Sequence, residues 1–216
     1  MSVTRLLILG AVRIFQPTHG YFVRRELGTW QVAEWAHLNP GSVYNALRVL
    51  TKDGMLVEEP PPTGGSAGKT TYRLTVDGEQ EYLRLVREGL WQLHPYEPAW
   101  LLAGLSFWGS LTRAEVLAAL AARAALITAR LSSTSFAAAN LGETAAGTPD
   151  HIVEGIRMHE TQLRGELEWV QAVSERITAG AYGFSDEDPA RQWPREHPMR
   201  PPGESLTRSS RPTSQV

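Results

Sequence analysis

The chain contains no cysteine, which removes disulfides and every thiolate metal site and fits a reducing compartment. Lysine is nearly missing as well. Lys52 and Lys69 are the only lysines among 21 basic residues, so contacts to phosphate would fall mostly to arginine forks. Positive charge is not in excess: the formal net charge is −2 and the pI is about 6.3. That balance excludes a protein that coats nucleic acid indiscriminately, because phosphate binding needs clustered cations. The short apolar run Leu6 to Leu9 is too brief for a signal-peptide core or a membrane span, so a cytoplasmic protein without membrane partners is expected.

The residues of common catalytic sites are equally sparse. The six histidines (His19, His37, His94, His151, His159, His197) never take a metal-ligand spacing with acids. His151 with Glu154 and His159 with Glu160 read as solvated helix positions, and His19 reads as structural. There is no phosphate loop and no serine elbow. No enzyme, no cofactor and no metal is expected.

What is present is concentrated between Tyr21 and Leu74. Tyr21 to Leu27 reads as a short helix with Phe22, Val23 and Leu27 inward, and a connector carrying Trp30 and Trp35 follows. Asn39 then suits an N-cap and Pro40 the first helical position, so a second helix opens there. Val43, Leu47 and Leu50 form its apolar face, and Ser42, Tyr44, Asn45 and Arg48 are left outside it. Asp53-Gly54 supplies a left-handed stop. Met55 to Glu59 and Thr70 to Leu74 read as two strands around a Pro/Gly/Ser tip, Pro60 to Lys69. Helix, turn, helix and a two-stranded wing make a winged helix, whose second helix enters the DNA major groove. The expected fold is therefore mainly α with a small β wing.

Four motifs within this part, His19-Gly20-Tyr21, Gly41 to Leu47, Asp53-Gly54-Met55-Leu56 and Lys69 to Gly78, resemble the PadR family of bacterial transcriptional regulators. The resemblance covers roughly the first 95 residues. It implies a homodimeric, ligand-responsive repressor in which a winged helix is followed by dimerising helices. The chain departs from the family pattern at Asn45, where a proline often stands, and in a wing with one lysine rather than a basic pair. On this reading Ser42, Tyr44, Asn45 and Arg48 contact the major groove, and Lys69, Thr70 and Tyr72 contact DNA from the wing. Arg24 lies near a phosphate, while Arg25 reads as a solvated position. Glycines 64, 65 and 68 let the wing tip adapt. Residues 1–78 hold eight basic groups against six acidic ones, a local +2, so useful affinity needs two copies of the surface.

Around this region the chain reads as helices. Thr4 to Phe15 is an amphipathic helix ended by Gln16-Pro17, and Thr18 is the expected N-cap of the next. Thr75 caps a helix from Val76 to about His94, and Pro95 and Pro98 then mark a boundary. Ala99 to Trp108 is short and apolar. Thr112 to Glu115 forms a capping box opening an alanine-rich helix to about Ser132, and Thr134 to Ala146 reads as a loop or frayed end. A last helix runs from Asp150 to about Ala179 with Ile152, Ile156, Leu163, Leu167, Val170 and Ile177 on one side, and Val153, Trp169 and Val173 as a second apolar edge that a two-fold partner would cover.

Three units are thus expected: a DNA-binding domain over 1–95, a helical dimerisation and ligand-sensing domain over 96–182, and a disordered tail over 183–216. Seven tryptophans are many for this length, and Trp91 and Trp100 are the expected lining of a pocket for a flat aromatic or hydrophobic effector. The expected partners are double-stranded DNA, a second copy of the chain and that effector. The rival reading is a winged helix that uses the same helix face to hold protein rather than specific DNA.

Overall fold

The computed structural model describes residues 3–60, 70–94, 96–144 and 149–187, without the side chains of 135–144 and 150. Helix α1 (Val3–Phe15) is followed by strand β1 (Thr18–His19), helices α2 (Gly20–Thr29), α3 (Val32–Trp35) and α4 (Pro40–Lys52), and strands β2 (Leu56–Glu59) and β3 (Thr71–Leu74). Helices α5 (Val76–Trp91) and α6 (Ala99–Phe107), a 3-10 turn (Trp108–Ser110), and the long α7 (Arg113–Thr144) and α8 (Asp150–Thr178) complete the described chain.

Helix α1 was expected to bury one face, yet every residue from Leu6 to Arg13 is buried. It lies at the centre, packed by α2, α4, α5 and α6, and a helix surrounded on all sides has no polar face to keep. Gly10 lets α6 close on it, because a Cβ there would sit 2.3 Å from the Phe107 ring. The one charge on the buried stretch, Arg13, is paired: its Nε donates to both carboxylate oxygens of Glu79 at 3.0 Å.

The wing has three strands rather than two, in the order β1-β3-β2, all antiparallel. Thr18 pairs with Tyr72 and His19 with Thr71, so Thr18 is buried in the sheet and does not cap α2. His19 takes the N-cap position without a side-chain bond. Two residues are too few for an alternating pattern, which is why this strand escapes sequence reading. Asn39 is the N-cap residue of α4 as expected, though its side chain makes no capping bond; its carbonyl instead accepts the Ser42 N–H at 2.9 Å. Gly54 ends α4 at φ +74°.

Thr75 caps α5, its hydroxyl accepting the Gly78 N–H at 3.0 Å, and the same hydroxyl donates to the Gly54 carbonyl at 2.7 Å. The Met55 carbonyl receives the Thr75 N–H at 3.1 Å. Helix α5 ends at Trp91, short of the expected His94. It packs closely on α6 because Gly89 and Gly104 face each other; a Cβ on Gly89 would meet the Trp100 carbonyl oxygen at 2.6 Å.

The capping box of α7 forms, with the Glu115 N–H on the Thr112 hydroxyl and the Thr112 N–H on the Glu115 carboxylate. The expected loop from Thr134 is instead helix as far as Thr144, since Ala137, Ala138 and Ala139 carry good helix propensity through it. Helices α7 and α8 pack antiparallel. Val173 belongs to their seam with Val170 and Ile177 and not to a second, free edge, while Ile152 is exposed.

The expected tail also begins later than Gly183. Phe184 is fully buried beside Trp108, and the Ser185 N–H donates to the Leu111 carbonyl. Arg113 stacks on the Phe184 ring and pairs with Glu187. One aromatic anchor thus holds this segment, a device that a composition argument overlooks. The rest of the tail, 188–216, and the wing tip, 61–69, lie outside the described residues.

Gly78 offers a direct check on the junction between wing and α5. Its Cβ would lie 2.0 Å from the Met55 carbonyl oxygen, a backbone atom that cannot step aside. Gly78→Ala should lower stability by about 1–3 kcal/mol in thermal or urea unfolding. Gly155→Ala, where nothing lies within 4 Å, should be neutral or stabilising by up to about 1 kcal/mol. Equal stability of the two variants would contradict the tight junction.

Candidate nucleic-acid interface

Helix α4 spends its apolar residues on the core. Val43, Leu47 and Leu50 are buried against α1 and α2, and the intervening positions Ser42, Tyr44, Asn45 and Arg48 are exposed. Arg48 donates from Nη2 to Asn45 Oδ1 at 2.8 Å, so the two side chains present one joined edge of an amide and a guanidinium. That combination suits purine edges or a phosphate.

Tyr44 sits over Gly20. A Cβ at Gly20 would lie 3.2 Å from the Tyr44 ring and 3.0 Å from Leu47, so this glycine seats α4 against the start of α2. Half of the Tyr44 side chain, 48 %, remains exposed, which allows packing and outward contact together. Tyr72 on β3 is half-buried nearby. Burial, and then the Glu58 carboxylate that its hydroxyl meets, push its phenol above the ordinary tyrosine value, with a smaller contribution from Tyr44. The phenol therefore stays protonated and a donor. Thr70, just before β3, is exposed, and its carbonyl accepts from the His19 ring Nδ1 at 3.0 Å. Lys69 lies outside the described residues, as do glycines 64, 65 and 68.

On α2, the Arg24 guanidinium lies over the Tyr21 ring at 5.5 Å and Tyr21 is 58 % exposed. Tyr21, the last residue of the His19-Gly20-Tyr21 motif, thus stands exposed beside Arg24 on α2. Arg25 instead pairs with Glu26 and covers Phe22. Arg5, Arg13 and Arg73 are likewise engaged, with Asp53 and Glu81, with Glu79 and with Glu59. Arg24, Arg48 and Lys52 have no carboxylate partner among the described residues, and Lys52 is exposed at the end of α4. The winged part thus binds most of its arginines internally and leaves three cations on α2 and α4 for something else.

The tryptophans are distributed differently from expectation. Trp100 is buried and stacked on His94 at 5.2 Å, and Trp91 packs partly buried against the core. Neither is in the lining of the cleft between the connector and α6. That cleft, of about 470 Å³, is lined by Trp30 and Trp35, by Leu102, Ser106 and Phe107 of α6, and by Ile14. Trp35 donates its indole N–H to the Trp30 carbonyl at 3.0 Å, and Trp30 meets Phe107 edge-on at 6.0 Å. Trp30 and Trp35 stand in what reads from the sequence as a connector, and nothing local shows that α6 folds back over them.

Residues 8–84 match the profile of the Transcriptional regulator PadR-like family. No curated protein matches the chain. Among solved structures, Bacillus subtilis PadR in complex with operator DNA is 20 % identical, covering 80 % of this chain and 98 % of that one, with a TM-score of 0.34. The same protein in complex with p-coumaric acid is 19 % identical over 82 % and 99 %, at 0.33, and the PadR-like regulator BC1756 from Bacillus cereus is 14 % identical over 82 % and 99 %, at 0.34. The matched residues run from α1 into α5 and include the exposed face of α4 described above.

Proposed function

We propose that the protein is a cytoplasmic homodimeric repressor that binds a pseudo-palindromic operator, with α4 of each copy in a major groove and half-sites about one helical turn apart. The observation that carries this reading is the exposed face of α4, where Tyr44, Asn45 and Arg48 stand beside cations free of carboxylate partners. Ser42, Thr70, Tyr72 and Arg24 add phosphate contacts, with Lys69 from the wing. Residues 1–95 act as the reading domain and 96–182 as the dimerising one.

Support for the second copy comes from α7. Its stretch Arg113–Thr134 is apolar enough in length and hydropathy to cross a membrane, yet only 28 % of it is buried within the single chain. Leu126 on α7 and Ile152 and Met158 on α8 are exposed. A buried arginine inside that stretch, Arg123, argues for a protein partner rather than lipid. Two copies meeting through these faces would cover an apolar surface that water otherwise touches.

The effector site we assign to the cleft at Trp30 and Trp35. It fits a planar ring in size and lining, and it bridges the reading domain and α6, so an occupant would bear on their relative placement.

Two measurements follow. In a mobility-shift titration against the DNA upstream of the protein's own gene, affinity should fall steeply between two salt concentrations. Arg48→Ala should cost about 1–3 kcal/mol and relax base preference. Salt-insensitive or absent binding by the intact protein would favour the interaction-module reading. Tryptophan emission should be quenched by a planar hydroxycinnamate, weakened in Trp35→Leu and kept in Trp91→Leu; the reverse pattern would return the site to Trp91.

A further inference from the structure

Arg123 is 3 % exposed, in the interior of α7. Its Nε donates to Glu166 of α8 at 2.5 Å, and its Nη1 points at the last carbonyls of α5, reaching the Gln92 oxygen at 2.6 Å with Leu90 and Gly89 at 3.4 and 3.5 Å. One guanidinium therefore ties three helices. Those carbonyls are the unsatisfied end of a helix, where partial negative charge collects, and a buried cation there is held by the dipole as well as by hydrogen bonds. Arg123 is as costly to bury as any charge, so a site that keeps it must satisfy it.

Helix α5 also meets α7 at a second point. Arg87 pairs with Glu115 at 2.7 Å, an exposed bridge worth little by itself. Glu115 and Arg123 are separated by eight residues, roughly 12 Å along a helix. Two ties that far apart define a direction as well as a contact. At its other end α5 is fixed to the wing by the Thr75 cap and the Met55 carbonyl. Its orientation is therefore that of the reading domain, while α7 and α8 form the arm.

We propose that Arg123 is the positioning residue that sets the angle between the winged helix and the helical arm, and thereby the separation of the two α4 helices in the dimer. Its DNA consequence, a narrow tolerance for half-site spacing, rests on the operator-binding reading above; the intrachain geometry does not.

Because the chain has no cysteine, two can be placed at will. Lys52→Cys on α4 and Thr161→Cys on α8, both exposed, carry spin labels, and excess unlabelled protein restricts the measured distances to one chain. Electron–electron dipolar spectroscopy should give a narrow distance distribution in the otherwise native chain and one at least twice as wide in Arg123→Met. Glu166→Gln, which keeps a hydrogen-bonding partner without its charge, should widen it less and covers the case in which Arg123→Met fails to fold. A purely structural arginine would lower the melting temperature and leave the folded-state distribution unchanged, and that result overturns the proposal. In binding to operators with half-sites moved by two base pairs, the native protein should discriminate by about 10-fold and the folded variants by much less. Native discrimination retained by variants with broadened distances also overturns it. If the native protein binds no operator, the repressor reading fails while the distances still judge Arg123.

Discussion

A single carbonyl oxygen, that of Met55, is where α4, the wing and α5 are joined. It follows the left-handed Gly54 that ends α4, directly precedes strand β2, accepts the Thr75 N–H and sits where Gly78 has no side chain. Helix α4, strands β2 and β3 and the first turn of α5 therefore share one rigid corner. Hydrogen bonds from Thr75 to Gly54 and from Gly78 to Thr75 close it from either side. A larger residue at Gly78 would push α5 off the wing, and α5 is the element that carries the wing's orientation into the rest of the molecule. The placement of Tyr44, Asn45 and Arg48 relative to Tyr72 is in this sense a backbone property before it is a side-chain one.

Further along α5 the packing is stiff for a different reason. Arg13 and Glu79 are both nearly buried, and Ser110 accepts the second arm of Arg13 while meeting the Tyr82 hydroxyl at 2.7 Å. Breaking one member would strand the others in a low-dielectric interior, typically worth several kcal/mol. The network joins α1, α5 and the turn before α7. Arg113 performs the matching task at the far side of that turn, holding Ala181, Tyr182 and Glu187 against Trp108 and Phe184. Domain and arm are joined by geometry-specific polar contacts within an otherwise apolar core, which allows few relative orientations.

Local chemistry made much of this legible in the sequence. Pro40, Gly54, Thr75 and the Thr112-Glu115 box mark helix ends through backbone preferences that act within a few residues. The spacing of Val43, Leu47 and Leu50 separates the inner and outer faces of α4, and the exposed set follows by subtraction. What stayed hidden needed a partner distant in the chain. Thr18 joins a strand because Tyr72 is opposite it, Gln16 turns inward because the Leu74 N–H needs an acceptor, and Phe184 is buried because Trp108 leaves room. The cleft is the plainest case: Trp30 and Leu102 are far apart in sequence, and only the crossing of α6 over α1, allowed by Gly10, brings them face to face.

The same distinction between local and summed properties resolves the charge balance. A net charge of −2 discourages a nucleic-acid reading only if all charges act together. At physiological salt they do not, because the screening length is about 8 Å and acids on the far arm are invisible from α4. What a phosphate meets is the immediate set of side chains, and there the relevant question is which cations are already neutralised. Asp53, Glu59 and Glu26 take Arg5, Arg73 and Arg25, and the fold leaves Arg24, Arg48 and Lys52 without such partners among the described residues. Internal pairing therefore concentrates the usable positive charge on α2 and α4, the two helices whose outer faces the core does not need.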